Sequence, residues 1–457
     1  MALGPTKAAA VAVLSLLLVT PLNPVPSWTF TGPEPSALLG HAVAGLGDVN
    51  GDGFDDVAVG LHDVFDTEPG ESNPGRTFVF LGSPTGLSPT PAIFPQGGHP
   101  SPAQDVNSDG FDDLFVRSND SKAYLFLGSP YGLLSPPATT FFPGLVIRKI
   151  VGLGDTTGDG FGDAVLIHAP STGTQLHFFV GSADGLDPIA SLSLGIGDVA
   201  DIAAAGDVNG DGLADLVYST MTSLDDGRAT VLAGTPFLFG PSVPWHLTGD
   251  GSGGFGTQVA GAGDVNGDGF DDLLVSAPHF SSAPGEEGKV YLFLGAASGP
   301  DPTAAWTFVM GNLLVGTRIA SAGDVNADGF ADVAVSAGST DEPSGVVLIF
   351  LGSSTGLSAT PDQVLTGGAG SVTFGWALAS AGDVNGDGAS DLLVGDPFVG
   401  TDAGRASLFQ GQSTAVAGAL VEAETDSSRC GAVGAEAMLL MAAGWLFRRK
   451  RAPLERF

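Results

Sequence analysis

The pattern Asp-x-Asn/Thr-x-Asp-Gly-x-x-Asp occurs seven times along the chain, opening at Asp48, Asp105, Asp155, Asp207, Asp264, Asp324 and Asp383. The openings are 57, 50, 52, 57, 60 and 59 residues apart. A unit of that length cannot bury an apolar face alone, so copies must stack on one another. The feature therefore constrains a loop chemistry, a fold and a copy number together.

A hard cation such as Ca²⁺ takes about six to eight oxygen ligands. Side chains at positions 1, 3 and 5 of each loop supply Asp48, Asn50 and Asp52; Asp105, Asn107 and Asp109; Asp155, Thr157 and Asp159; Asp207, Asn209 and Asp211; Asp264, Asn266 and Asp268; Asp324, Asn326 and Asp328; Asp383, Asn385 and Asp387. They converge on one centre only if the backbone coils tightly. Glycine at position 6 (Gly53, Gly110, Gly160, Gly212, Gly269, Gly329, Gly388) permits that coil by tolerating positive φ. The position-7 carbonyl is the natural next ligand. Aspartate at position 9 (Asp56, Asp113, Asp163, Asp215, Asp272, Asp332, Asp391) then closes the cage. One such loop can be a metal-free Asx-turn; seven in register predict bound Ca²⁺, up to one ion per repeat. Thr157 is a poorer ligand than asparagine, and Gln104 replaces the glycine that precedes the other opening aspartates. The second and third loops are therefore expected to bind most weakly.

The loop begins like an EF-hand but lacks its Glu at position 12, and no helical periodicity flanks it. A small-residue strand precedes each loop and an apolar run follows, as in Val259–Asp264 and Asp272–Ser276. Each site thus sits in a β-hairpin connection. With 70 Gly and 31 Pro among 457 residues, many short strands between turns indicate an all-β fold. Four strands per repeat is the size of a propeller blade. An Ala/Gly-rich strand suits the crowded axis, and an aromatic strand such as Lys289–Gly295 suits the flanks where blades stack.

Phe255-Gly256 and Phe374-Gly375, with the loops opening at Asp264 and Asp383, resemble the FG-GAP repeat of integrin α-chain propellers and their bacterial relatives. Leu39-Gly40 and Val315-Gly316 are variants of the dipeptide, and the other three repeats lack it. The resemblance implies a seven-bladed β-propeller over residues 28–411 with calcium at the strand 1–2 hairpins. Outer-strand segments precede each core, near Trp28–Phe30, Ala92–Phe94, Thr140–Phe142, Ala190–Leu194, Trp245–Leu247, Trp306–Phe308 and Gln363–Leu365. None follows the last core, which ends at Gly411. The N-terminal strand must therefore complete the last blade, closing the ring and removing exposed edges. A monomer is expected. Trp28, Trp245 and Trp306 occupy matching positions and read as inter-blade packing. Arg76, Arg228, Lys289 and Arg405 open the third strand of four repeats and read as solvated strand starts rather than a basic binding ring. The His residues share no motif.

The formal charge is −34. Positions 1, 5 and 9 supply 3 × 7 = 21 aspartates, and seven Ca²⁺ would return +14, so much of the acidity belongs to the loops. Nucleic acid is excluded as a partner, because a phosphate backbone demands a basic surface. One cysteine allows no internal disulfide, and calcium takes the stapling role. Lys7, the apolar run Ala8–Val19 and Pro21–Pro26 read as a secretory leader over residues 1–27, with the cleavage point between 20 and 27. Residues 412–429 form a polar linker. Cys430-Gly431, an apolar stretch to Phe447 and Arg448-Arg-Lys-Arg451 resemble a MYXO-CTERM bacterial sorting sequence over residues 430–457. That resemblance implies cleavage and lipid attachment at Cys430 and display on the cell surface, the outer membrane included. An ordinary single-span anchor is the alternative.

These features predict a non-enzymatic binding or adhesion module, tethered outside the cell, whose partner is an extracellular protein or glycan. In integrins the face opposite the calcium loops binds ligand. Here that face carries the variable strand 2–3 connections, with Asp63, Asp66, Glu68, Glu71, Asp225, Asp226, Glu286 and Glu287. A lectin with sugar pockets between blades ranks second. A hydrolase or polysaccharide lyase ranks third, since no carboxylate pair or Ser/His/Asp set stands out from the repeat background and no second domain fits between residues 28 and 411.

Overall fold

The computed structural model describes residues 20–413, apart from 35–36, 63–74, 119–121, 142–146, 169–172, 222, 224–226, 240–243, 251–252, 282–286, 312, 339–344, 369 and 401–402. Residues 1–19 of the expected leader, residues 414–429 of the expected linker and the Cys430 tail lie outside the described residues, as do most of the acidic positions of the strand 2–3 connections. The chain divides into two units, 1–414 and 415–457.

The first unit is all β among its described residues: 28 strands in seven four-stranded antiparallel sheets. Each sheet is a blade. The inner strands of blades one to seven are Leu39–Gly47, His99–Gln104, Ile147–Gly154, Val199–Gly206, Val259–Gly263, Leu314–Gly323 and Ala377–Gly382. Each inner strand packs against those of both neighbouring blades, and blade seven returns to blade one. Small side chains are required there: a Cβ on Gly45 would lie 2.1 Å from the carbonyl oxygen of Ser380 in the adjacent blade.

The second and third strands are buried on both faces, as the unbroken burial of Asp56–Leu61 shows. Seven apolar clusters result, one in each interface between consecutive blades. The three matching tryptophans sit in these interfaces. Trp28 meets Phe80 of blade one edge-on at 4.7 Å, and Trp306 meets Phe350 of blade six at 5.0 Å. Trp306 also donates from Nε1 to the Ser358 carbonyl at 2.9 Å.

The sequence repeat and the blade are offset by one strand. Trp245–Thr248, which leads the fifth repeat, hydrogen-bonds to Arg228–Leu232 and so completes blade four. By the same rule Trp28–Thr31 pairs with Arg405–Phe409, from Trp28 opposite Leu408 to Thr31 opposite Arg405, and completes blade seven. The described residues begin before that strand. Leu22 is fully buried; its N–H donates to Gln363 Oε1 and its carbonyl accepts from Gln363 Nε2, both at 2.9 Å. Pro21 and Leu22, within the stretch 20–27 read from sequence as the end of the leader, are buried on the propeller.

Two of the four strand-opening cations are not solvated as expected. Lys289 is 7% exposed, and its Nζ lies 2.8 Å from an Asp250 carboxylate oxygen and 4.8 Å from the Tyr291 ring centre. Arg405 Nη2 reaches the buried Asp396 at 2.8 Å and the Gly367 carbonyl at 2.7 Å. Arg228 is exposed, and Arg76 pairs with Glu34 at 3.2 Å.

Candidate metal centres

All seven loops join the inner strand of a blade to its second strand, on one face of the ring. Position 6 is at positive φ in every copy, from 86° at Gly212 to 95° at Gly329. The resulting coil turns the loop's own amides onto the opening carboxylate. In the first loop Asp48 Oδ1 accepts from Gly51 at 2.6 Å and Asp52 at 3.1 Å, and Oδ2 accepts from Gly53 at 2.7 Å. Asn50 Oδ1 accepts from the Asp52 amide, and Asp52 Oδ1 from Phe54. The loops opening at Asp207, Asp264 and Asp383 repeat these bonds.

Position 9 is placed differently from positions 1, 3 and 5. Asp56 is fully buried at the start of the second strand. Its Oδ2 accepts from Val49 at 3.0 Å and its Oδ1 from Gly82 at 2.7 Å, so one carboxylate ties the hairpin to the end of the third strand. Asp113, Asp163, Asp215, Asp272 and Asp332 make the same two bonds. Asp391 accepts from Gly411 at 2.8 Å. Burial, then the charges of Asp48 and Asp52, raises Asp56 to about 7 against the pull of its two amides. Asp113, Asp215, Asp272, Asp332 and Asp391 are also raised to about 7, burial being the largest cause in each.

Do these residues fit a metal? The donor set is all oxygen, and the turn gathers it at the surface, which suits a hard cation. Among the described residues, however, no three His, Cys, Asp or Glu side chains are drawn together as a ligand cage. A cation would be met by the outward lone pairs of the position-1, -3 and -5 side chains and by whatever position 9 has left beyond its amides. The second and third loops depart from the pattern as their sequences do. Gln104 is held at φ 60°, where the other loops have glycine. Thr157 Oγ1 lies 3.4 Å from Asp155 Oδ1, and the neighbouring Thr156 hydroxyl donates to Asp163.

Two further positions do work that the sequence pattern did not disclose. The position-8 amide of each loop donates to the position-1 carbonyl of the preceding blade: Asp112 to Asp48, Gly162 to Asp105, Ala214 to Asp155, Asp271 to Asp207, Ala331 to Asp264, Ser390 to Asp324, and, across the closure, Asp55 to Asp383. The bonds are 2.8–3.2 Å long and run round the whole ring. At positions 8 bearing aspartate the carboxylate adds a second bond, as Asp112 Oδ2 does to the Asp48 amide at 3.0 Å. Position 4 is at positive φ in all seven loops, and in the five that place glycine there the position-7 side chain of the next blade covers it: a Cβ on Gly51 would lie 2.5 Å from Phe111. Chain numbering hides these contacts because they join different repeats.

The Phe-Gly dipeptide is an inter-blade device as well. Phe255 is buried edge-on against Tyr291 at 5.1 Å, and Gly256, at φ 88°, leaves 2.9 Å between its missing Cβ and Ser219 of blade four.

The FG-GAP repeat family matches at residues 255–293, 315–350 and 374–409, within blades five, six and seven. Integrin alpha-IIb of Mus musculus is 44% identical over 156 residues, 31% of this chain and 14% of the relative. Integrin alpha-8 of Gallus gallus is 33% identical over 232 residues, 48% of this chain and 21% of the relative. The chain thus spans 14–21% of the length of these two relatives. A crystal structure of BBS1N in complex with ARL6DN, soaked with mercury, superposes over 87% of this chain and 98% of that one, at 14% identity and a TM-score of 0.49. The chain is a seven-bladed, integrin-α-like β-propeller carrying FG-GAP repeats.

Proposed function

We propose that the chain is an exported, surface-tethered and calcium-stabilised propeller that binds an extracellular ligand and catalyses no reaction. The observation that carries this reading is the use made of the seven loops. Their amides, carbonyls and buried carboxylates are committed to hairpins and to the neighbouring blade, so the loop face is a fastening. Calcium would strengthen that fastening by neutralising carboxylates crowded on one turn. Recognition is then left to the opposite face and to the axial channel that opens there, since binding residues usually sit on loops held by a rigid scaffold. The likeness to integrin α-chains favours an extracellular partner, and the Cys430 tail supplies the tether.

The test is an array of matrix proteins and glycans probed with the calcium-loaded protein, run beside a turnover screen on lipids and polysaccharides. Specific retention that disappears in chelator is expected. Turnover of any substrate would overturn the non-enzymatic reading.

A further inference from the structure

The inner strands enclose an axial channel, and its end away from the metal loops is basic. Arg117, Arg148, Lys149 and Arg318, four of the chain's 16 Lys and Arg residues, line two adjoining lobes of about 550 and 370 Å³. This clustering occurs in a chain of formal charge −34. Asp201 is the one acidic side chain lining the lobes among the described residues; Lys149 Nζ pairs with it at 2.7 Å. Burial alone lowers Arg117, with no described carboxylate near enough to offset it. Arg318 lies 5.3 Å from the Trp376 ring centre, and its Nη1 donates to the Thr317 carbonyl at 2.7 Å.

Beside the cations is an aromatic group drawn from blades one, two and seven. The His41 ring centre is 5.1 Å from His62, 5.5 Å from His99 and 5.8 Å from Trp376. Trp376 Nε1–H, a donor only, is buried without a partner among the described residues, as is His41 Nδ1. Burial, then the charges of His62, Arg318 and Arg117, pushes His41 down to about 4, which keeps it neutral and reports a positive surrounding. Two desolvated guanidinium groups, Arg117 with no described carboxylate beside it and Arg318 offset only in part by Asp201, stand next to an N–H donor without a described partner and flat ring faces, and so favour an acceptor-rich and negatively charged occupant.

We propose that this end of the channel is a binding site for an acidic sugar, a uronate-bearing oligosaccharide. Its carboxylates would be held by Arg117, Arg148 and Arg318, and its ring would lie on the Trp376–His41 face. A sugar fits better than an acidic peptide, because the cations share the channel with aromatic rings suited to a sugar's apolar face, and each lobe is of small-ligand size. The site rests on the non-enzymatic binding reading given above and names its ligand class.

The experiment titrates the calcium-loaded full chain with tetragalacturonate, followed by calorimetry and tryptophan fluorescence. Saturable binding is expected, with affinity falling about tenfold or more in Arg318→Ala and Arg117→Ala. Arg148 is exposed, so Arg148→Ala should weaken binding in a protein whose melt is unchanged. Arg228→Ala, outside the channel, should bind as the parent does, and Trp376→Phe should lose the fluorescence change. The proposal is overturned by no binding, by equal binding of the methyl-esterified tetramer, by undiminished binding in Arg148→Ala, or by hexa-aspartate binding in place of the sugar. Cleavage of the bound tetramer would remove the non-enzymatic reading and leave the site standing; binding here with no retention on any array would remove the adhesion reading alone.

Discussion

Position 4 of the loop shows how one residue is constrained by a blade it does not belong to. Five loops place glycine there, under Phe54, Phe111, Leu213, Phe270 or Phe330 of the following blade. The other two hold Ser108 at φ 56° and Ala327 at φ 55°. Ala327 precedes the blade whose position 7 is Ala389, the smallest side chain at that position. A side chain at positive φ costs about 1–2 kcal/mol, partly offset by the smaller unfolded-state entropy of alanine relative to glycine. Ala327→Gly should therefore stabilise the protein by about 0.5 kcal/mol. Gly267→Ala should do the reverse. Its Cβ would stand 2.6 Å from Phe330 at φ 74°, so backbone strain and overpacking add to about 2–4 kcal/mol. Urea titrations at saturating calcium read both, and equal effects of one sign would refute the account. Gly at position 6 was legible from sequence because its reason is local. Positions 4 and 8 were not, because their partners lie in the next repeat. Lys289 was misread as solvated because its partner Asp250 is 39 residues away in the chain.

At the scale of the element, each metal loop is a hairpin with two sources of stability that can be separated. Its own hydrogen bonds exist without a cation. Extracellular calcium sites have dissociation constants near ~0.1–1 mM. At ~1 mM calcium and ~0.1 mM affinity each loop gains about 1.4 kcal/mol, and seven gain ~10 kcal/mol, as much as a typical domain's whole stability. Chelation should therefore lower the melting temperature steeply, and an unchanged melt would make the loops turns alone. The chelated chain should also respond to pH in a definite direction. Six position-9 aspartates sit at about 7 when folded, above the ordinary 3.8. A raised carboxylate lends stability that is full below the unfolded value and lost as pH rises through the folded one. The metal-free protein should thus melt higher at pH 5 than at pH 8. With calcium the order should invert, because protons and the cation compete for the same oxygens. Melts at the two pH values, with and without chelator, check this; parallel behaviour in both would exclude calcium from the loops. The spacing of seven loops made blade number and topology readable in advance. The channel was not readable, because the His and Arg residues that line it come from strand ends scattered across the blades and share no motif.

The propeller is a ring, and its stability depends on how its ends meet. Three devices cross the closure. Trp28–Thr31 pairs with the third strand of blade seven, Asp55 of blade one bonds to Asp383 of blade seven, and Leu22 plugs into Gln363. Without the first, Arg405–Phe409 has an open edge, and the cluster between blades seven and one loses Trp28 and Phe30. An unpaired strand beside an exposed apolar face invites pairing with another chain. Because Leu22 belongs to the folded unit, an exported and processed protein should retain it, and its N-terminal residue, read by mass spectrometry, should be Leu22 or earlier. Three shortened chains separate the contributions. One beginning at Thr20 should match the full propeller. One beginning at Trp28 keeps the strand but loses a fully buried leucine, a cost of about 1.5–3 kcal/mol. One beginning at Gly32 should lose its single cooperative melt and self-associate, as light scattering would show. A monomeric Gly32 chain with the melt of the Thr20 chain would mean that the seven loop-to-loop bonds close the ring without the strand.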